Sequence, residues 1–314
     1  MKRFFLSLAA IASLAVSAVA QQTIFPTPYD YEENRFNFFV VNDTGRNGYY
    51  DQDVVAETMG RLSESMNPEF IAAAGDTHHF MGVASVNDPL WMTNYELIYT
   101  HPELMIPWYA VCGNHEYRGN TQAIIDYSKV SRRWHCPAKY YTKRFEEAGR
   151  SVLVVFIDTP PLIDKYRKDT EKYPDAVKED MGAQLQWIDK VLKESKDTWK
   201  IVVGHHPIYA DTSKSLAERT NMQERVDPIL RKYGVDIYVC GHIHNFQHIR
   251  KEGTDMDYVV NSAGALCRPA KPIEGTQFFS DAAGFSVISI DQKSLLMHFV
   301  DKNGNFIYTI QREK

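Results

Sequence analysis

The chain has 314 residues, with 35 Lys and Arg against 40 Asp and Glu and a formal net charge of −5. Hydrophobic residues make up 44% and charged residues 24%, values that exclude disorder and fibrous repeats and allow a substantial core. The acidic balance lacks the Lys/Arg surplus on which nonspecific nucleic-acid binding depends, so no nucleic-acid partner is expected.

Residues 1–20 read as an export signal. Lys2 and Arg3 form a basic start, an apolar run extends from Phe4 to Val16, and Ala18-Val19-Ala20 offers a small-x-small cleavage pattern. The run is short for a bilayer span and no later segment is long and apolar enough. The expected mature protein is therefore soluble, periplasmic or secreted, with no membrane partner. Residues 21–35 form an N-terminal segment, and no linker, repeat or low-complexity tract divides 36–311, which reads as one domain.

Strands and helices then alternate. Phe36–Val41 is a β-rich run, followed by helical potential over Tyr49–Met66, a strand at Glu69–Ala74 and a helix over Pro89–Tyr99. Trp108–Cys112 is a third strand, Thr121–Trp134 a helix and Ser151–Ile157 an apolar strand. Gly182–Ser195 carries Leu185, Ile188, Val191 and Leu192 at helical spacing. Lys200–Val203 and Asp236–Cys240 are strands separated by a helix over Leu216–Tyr233. Beyond Gly241 the chain predicts strands at Tyr258–Asn261, Phe285–Ile290, Leu295–Val300 and Phe306–Ile310, the last two joined through an Asn303-Gly304 turn. This order predicts a layered α/β fold with mixed sheets. Four cysteines permit three full pairings, which the sequence does not decide. Cys112 and Cys240 each end an apolar run, a usual place for a buried free thiol.

The chemistry-bearing residues follow the strands directly. Asn42-Asp43-Thr44-Gly45 closes the first, Gly75-Asp76-Thr77-His78-His79 the second and Gly113-Asn114-His115-Glu116 the third. Gly204-His205-His206-Pro207 and Gly241-His242-Ile243-His244 close two later ones. Seven of the eleven histidines lie in these five short segments. Each segment alone is ordinary turn chemistry. Together, always beyond a strand's carboxyl end where α/β sheets bind ligands, they point to a metal site.

The order Asp-x-Gly, Gly-Asp, Gly-Asn-His-Glu, Val-x-x-His and Gly-His-x-His resembles the calcineurin-like metallophosphoesterases. More narrowly it resembles the small purple, or tartrate-resistant, acid phosphatases. Phe80-Met81-Gly82-Val83, Ile106-Pro107-Trp108-Tyr109, Arg133-Trp134, Gln184-Leu185-Gln186-Trp187 and Asn245-Phe246-Gln247 carry the likeness over Phe36 to Ile310. The resemblance implies a four-layer αββα sandwich of two mixed β-sheets and a pair of metal ions at the strand ends. It implies Asp76 as the bridge, Asp43 and His244 on the first metal, and Asn114, His205 and His242 on the second. Hard oxygens mixed with imidazoles suit Fe, Mn or Zn. His115 matches the family's phosphate-contacting histidine that protonates the leaving group.

Two positions depart from the pattern. Relatives carry an aromatic residue at His206 and a substrate-contacting His a few residues on. Ile208–Glu218 has no His, so that role is empty or falls to His206, Asp211 or Lys214, and His206 is a candidate for substrate contact or for packing. Purple members carry a Tyr three residues after the Gly-Asp aspartate, whose phenolate binds Fe(III) and gives the colour; here His79 stands there. As a ligand His79 would favour a divalent pair. His78 is expected to point away from the metals, His135 and His248 to pack or lie at the surface, and Asp158 to cap a turn. The implied function is hydrolysis of small phosphate monoesters by a metal-activated water. Phosphodiesterase or nucleotidase activity is the alternative within the superfamily, and a noncatalytic metal- or phosphate-binding protein the alternative of another class.

Overall fold

The computed structural model describes residues 35–147 and 150–314. The expected export signal and most of the expected N-terminal segment lie outside the described residues. In chain order the strands are β1 (Phe36–Val41), β2 (Phe70–Ala73), β3 (Trp108–Ala110), β4 (Trp134–His135), β5 (Tyr141–Glu147), β6 (Arg150–Phe156) and β7 (Trp199–Val203). They continue with β8 (Ile237–Cys240), β9 (Phe246–Arg250), β10 (Asp257–Val260), β11 (Thr276–Ser280), β12 (Gly284–Ile290), β13 (Ser294–Asp301) and β14 (Phe306–Glu313). The α-helices are α1 (Gln52–Met66), α2 (Thr121–Asp126), α3 (Asp164–Lys168), α4 (Met181–Glu194), α5 (Leu216–Arg225) and α6 (Asp227–Lys232).

The strands form two mixed seven-stranded sheets, ordered β14-β13-β12-β1-β2-β3-β4 and β11-β9-β10-β8-β7-β6-β5. In the first, β1, β2, β3 and β4 run parallel and β12 to β14 antiparallel. In the second, β6, β7, β8 and β10 run parallel. Successive side chains on a strand face opposite ways, and both faces are buried here. Phe38, Val40, Phe70, Val154, Phe156, Ile201, Val203 and Val239 share one apolar cluster between the sheets. Phe39, Val41, Ile71, Val155 and Val202 belong to another that includes Met59 and Leu62 of α1 and Ile188 and Leu192 of α4. Aromatic contacts join the sheets: Phe70 stacks on Phe145 at 4.9 Å and Phe246 on Phe299 at 4.7 Å. Each fully buried side chain of this kind contributes roughly 1.5–3 kcal/mol.

Several expectations are corrected. The helix over Thr121–Trp134 ends at Asp126, and Trp134–His135 pairs beside β3 instead. The helix over Leu216–Tyr233 breaks at Val226, because Pro228 can start a helix but not continue one. Pro89–Tyr99 is helical over residues 90–96 only, with π-type geometry over Met92–Glu96. Strands β5, β9 and β11 were not foreseen. The Asn303-Gly304 segment does turn β13 into β14, with Gly304 at φ 86°. The four cysteines are free thiols, and Cys112, Cys136 and Cys240 are buried.

Candidate metal centre

Parallel β1, β2 and β3 of one sheet and β7 and β8 of the other deliver Asp43, Asp76, Asn114, His205, His242 and His244 just beyond their carboxyl ends. The backbone bends sharply there. Asp43, Asp76, His242 and His244 have φ values of 52°, 54°, 73° and 64°, left-handed geometry that non-glycine residues adopt at a cost of order 1–3 kcal/mol. The loops also pass very close together. A Cβ on Gly113 would sit 2.2 Å from Asp76 Oδ1, and one on Gly241 2.5 Å from Asp43 Oδ2.

Each carboxylate has one oxygen held by the protein and one presented to the centre. Asp43 Oδ2 accepts Asn42 Nδ2 and the His242 backbone N–H, both at 2.7 Å. Its Oδ1 faces His244 Nε2 at 3.3 Å. Asp76 Oδ1 accepts the His115 N–H at 2.8 Å. Its Oδ2 is approached by His205 Nε2 at 3.1 Å, His79 Nε2 at 3.6 Å and His115 Nε2 at 3.8 Å.

The histidines are fixed from behind. His205 Nδ1 bonds the Ala74 carbonyl at 2.9 Å and His244 Nδ1 the Leu266 carbonyl at 2.6 Å. A carbonyl only accepts, so both Nδ1 atoms carry hydrogen and both Nε2 lone pairs face a carboxylate oxygen. Lone pairs so opposed repel unless a proton or a metal cation lies between them. Burial opposes the His205 imidazolium, but Asp76 outweighs it and raises His205 to about 9. Burial likewise opposes the Asp76 carboxylate, yet His205, His115 and His79 hold it well below the usual carboxylate range. Asp43 Oδ1, Asn114 Oδ1, both nitrogens of His79, and His205 Nε2 are buried with no hydrogen-bond partner. The 3.1 Å approach of His205 to Asp76 is thus a close contact without hydrogen-bond geometry. Donor atoms of Asp43, His79 and His244 lie within 4.8 Å of one another, as do those of Asp43, Asp76 and His205. Such donors fit a pair of transition-metal cations.

His242 is turned the other way. Its Nε2 lies 3.1 Å from the buried carboxylate of Glu218 on α5, which leaves Nδ1 as the free lone pair. Lys214 Nζ stands 3.2 Å from that Nδ1 and also donates to the His242 carbonyl. Burial outweighs the pull of Asp43 and Asp76 and lowers Lys214 to about 8.

His206 is fully buried, and both ring nitrogens are engaged, Nδ1 with Thr159 Oγ1 and Nε2 with Tyr166 OH, each at 2.8 Å. Its ring lies 4.2 Å from that of His242. It therefore offers no free nitrogen for the substrate contact considered above. His78 turns away, edge-on to Trp91. His248 pairs with Asp257 at 2.8 Å. Asp158 caps no turn: its carboxylate accepts the Tyr117 hydroxyl, and burial raises it to about 7.

Two supporting residues escaped the sequence reading. Glu116 accepts the backbone N–H groups of Asp76, Gly113 and His78 at 2.7 to 3.0 Å and so clamps the second and third loops together. Burial and the Asp76 charge raise it to about 7. Its place in Gly-Asn-His-Glu was a visible signal. Glu218 lies in no motif, and only the geometry reveals it.

Residues 36–246 match the calcineurin-like phosphoesterase family. Among curated proteins, purple acid phosphatase 4 of Arabidopsis thaliana is 32% identical, over 88% of this chain and 83% of that protein. Tartrate-resistant acid phosphatase type 5 of Rattus norvegicus is 31% identical, over 81% of each chain. Among solved structures, the GAP50 anchor in the inner membrane complex of Plasmodium superposes with a TM-score of 0.77 at 22% identity, covering 90% of this chain and 89% of that one. The purple acid phosphatase PPD1 from yellow lupin seeds gives 0.60 at 15% identity, covering 89% of this chain and 54% of that one. At those identities the two structures speak for the fold alone.

Proposed function

As a member of the calcineurin-like phosphoesterases, in their purple acid phosphatase branch, this chain is a metal-dependent phosphoester hydrolase, and we propose that it hydrolyses phosphate monoesters. The observation that carries this reading is the pair of presented oxygens, Asp43 Oδ1 and Asp76 Oδ2, each facing an imidazole lone pair. In this reading Asp43, His79 and His244 would hold one metal and Asn114, His205 and His242 the other, with Asp76 shared between them. The bound pair supplies positive charge for the phosphate oxygens and an activated water.

The chain's own residues do the rest. His115 Nδ1 donates to the Phe80 carbonyl at 2.8 Å, which turns Nε2 towards the cluster to deliver a proton to the departing oxygen. His206 acts as a positioning residue: Thr159 and Tyr166 lock its ring against His242. The test uses protein loaded with Fe, Mn or Zn and compares phenyl phosphate with diphenyl phosphate. The monoester should turn over faster. Faster diester turnover would favour the phosphodiesterase alternative, and turnover of neither would favour a noncatalytic metal-binding protein.

Lys214 and the second metal would share one lone pair, His242 Nδ1. For metal to bind there, Lys214 must give up hydrogen bonds worth about 1.5–3 kcal/mol for a charged group. Lys214→Met should therefore tighten the second metal by about 10- to 100-fold, since 1.4 kcal/mol is tenfold. Calorimetric titration with Zn or Mn reads this directly, and an unchanged second affinity would count against it.

His79 sets the metal's character. Neutral imidazole supports a trivalent ion less well than phenolate does, so the centre should hold divalent ions. Iron-loaded protein should lack a phenolate charge-transfer band. A divalent ion also acidifies water less than a trivalent one, so the pH optimum should lie nearer neutral than in purple relatives. Visible spectroscopy and a pH–rate profile check both, and a purple preparation with a strongly acidic optimum would refute the assignment.

A further inference from the structure

Beside the centre lies a cleft of about 420 Å³ lined by Gly45, Arg46, Tyr49, Tyr50, His79 and Phe80. Three of its aromatic rings are open to solvent: Tyr49 is 72% exposed, Tyr50 63% and Phe80 63%. Large apolar side chains gathered at one rim mark a binding surface more often than chance exposure. His79 lines the cleft on the side of the centre, and its ring centroid is 4.1 Å from that of His115. Phe80 stands beside His115 as well, with ring centroids 6.0 Å apart. The buried Arg46 guanidinium lies 4.9 Å from the Phe80 ring centroid and 6.0 Å from that of Tyr50.

The loop that carries Arg46, Tyr49 and Tyr50 is tied down by hydrogen bonds. Gln52 Oε1 accepts the N–H groups of Arg46 at 3.1 Å and Gly48 at 2.9 Å, and Gln52 Nε2 donates to the Asn94 carbonyl at 2.9 Å. Asn47 N–H donates to Asn94 Oδ1 at 2.8 Å. Tyr50 is kept at φ 60°, a conformation rare for a bulky residue and found mostly where surroundings enforce it for function.

We propose that this cleft is the leaving-group subsite and that it receives a planar aromatic group. The inference rests on the phosphomonoesterase reading and on His115 as proton donor. The group that takes a proton from His115 departs next to His115, and Phe80 is the exposed ring there, with Tyr50 and Tyr49 continuing the surface outward. A planar π-system can stack on these rings, whereas a short polyol cannot. Two sources share that chemistry: an aryl group directly on the ester oxygen, and a nucleobase one ribose farther out.

The experiment measures kcat/KM for phenyl phosphate, adenosine 5′-monophosphate and glycerol 2-phosphate, using metal-loaded wild-type protein, Phe80→Ala and Tyr50→Ala. The readout is the ratio of each aromatic ester to glycerol 2-phosphate. A stacking contact is expected to give a fall of about five- to tenfold per side chain, mostly through KM. A fall confined to phenyl phosphate identifies an aryl ester, and a larger fall for the nucleotide, strongest in Tyr50→Ala, identifies a nucleobase. Ratios unchanged in both variants overturn the proposal. Binding of phenylphosphonate against methylphosphonate, by calorimetry on the same proteins, decides the matter without turnover. Were no ester hydrolysed, the functional reading would fail, while a phenyl preference lost in the variants would still identify the subsite, and equal binding of the two phosphonates would reject it.

Discussion

Asp76→Asn should strip the centre of both metals and abolish turnover, while the protein remains folded. The reason lies in one atom. Asp76 Oδ2 is approached by three imidazoles, His205 at 3.1 Å, His79 at 3.6 Å and His115 at 3.8 Å. An amide removes the anion that two dications would share. If its nitrogen takes the Oδ2 position, it also turns a donor towards His205 Nε2. Asn could keep its oxygen in the Oδ1 place and still accept the His115 N–H, so the loops should stay joined. Glu116 clamps the same loops independently. Loss of an outer hydrogen bond to a metal site typically costs 10- to 100-fold in affinity or activity, so loss of the shared ligand should cost more than about 100-fold. Metal analysis after dialysis, turnover and a thermal melt on one preparation check this. Retention of two metals would show that the bridge lies elsewhere.

The legibility of the fold followed burial. Strands β2 and β8 are apolar throughout, and β1 and β7 are interrupted only by Asn37 and Lys200, so each reads as a short, nearly continuous hydrophobic run. At the sheet edge, β5 carries Lys143, Arg144, Glu146 and Glu147 within its seven residues, and β11 alternates between half-buried and exposed. Edge strands make fewer demands on composition, and nothing local distinguishes them from loop. The break at Val226 was different, because Pro228 announced it. Arg133 shows why Thr121–Trp134 does not continue as helix: its buried guanidinium donates to the Tyr99 carbonyl and pairs with Glu96 at 2.9 Å, which ties the segment to another part of the chain.

The centre divides along the same line. Asp43, Asp76, Asn114, His205, His242 and His244 could be singled out because strand ends confine them to short motifs. What orients them could not. Glu218 reaches His242 from α5, and the Ala74 and Leu266 carbonyls that set two imidazole tautomers are backbone atoms with no sequence signature. Lys214 stood out in the sequence only as a residue in a stretch without His. Its contact with the His242 lone pair depends on the conformation of the segment between β7 and α5.

His115→Ala should leave the metal content intact and lower turnover by roughly 100- to 10,000-fold, the range for loss of a general acid. The backbone N–H that His115 donates to Asp76 Oδ1 survives in alanine, so the bridge keeps its anchor. A competing arrangement exists, since donor atoms of His115, His79 and Asp76 lie within 4.8 Å and could together hold a cation. Geometry favours the acid. His115 Nε2 is the farthest of the three imidazole nitrogens from Asp76 Oδ2, and its side chain is 13% exposed against 1% for His79 and 0% for His205. Burial lowers the His115 pKa although Asp76 opposes it, so the proton-donating form should grow as pH falls below the ordinary histidine range. The decisive measurement varies the leaving group. An ester of an acidic phenol departs without protonation, so His115→Ala should hardly slow 4-nitrophenyl phosphate compared with an alkyl phosphate. Equal losses on both esters, or loss of metal, would mean that the imidazole holds a cation or the phosphate and transfers no proton.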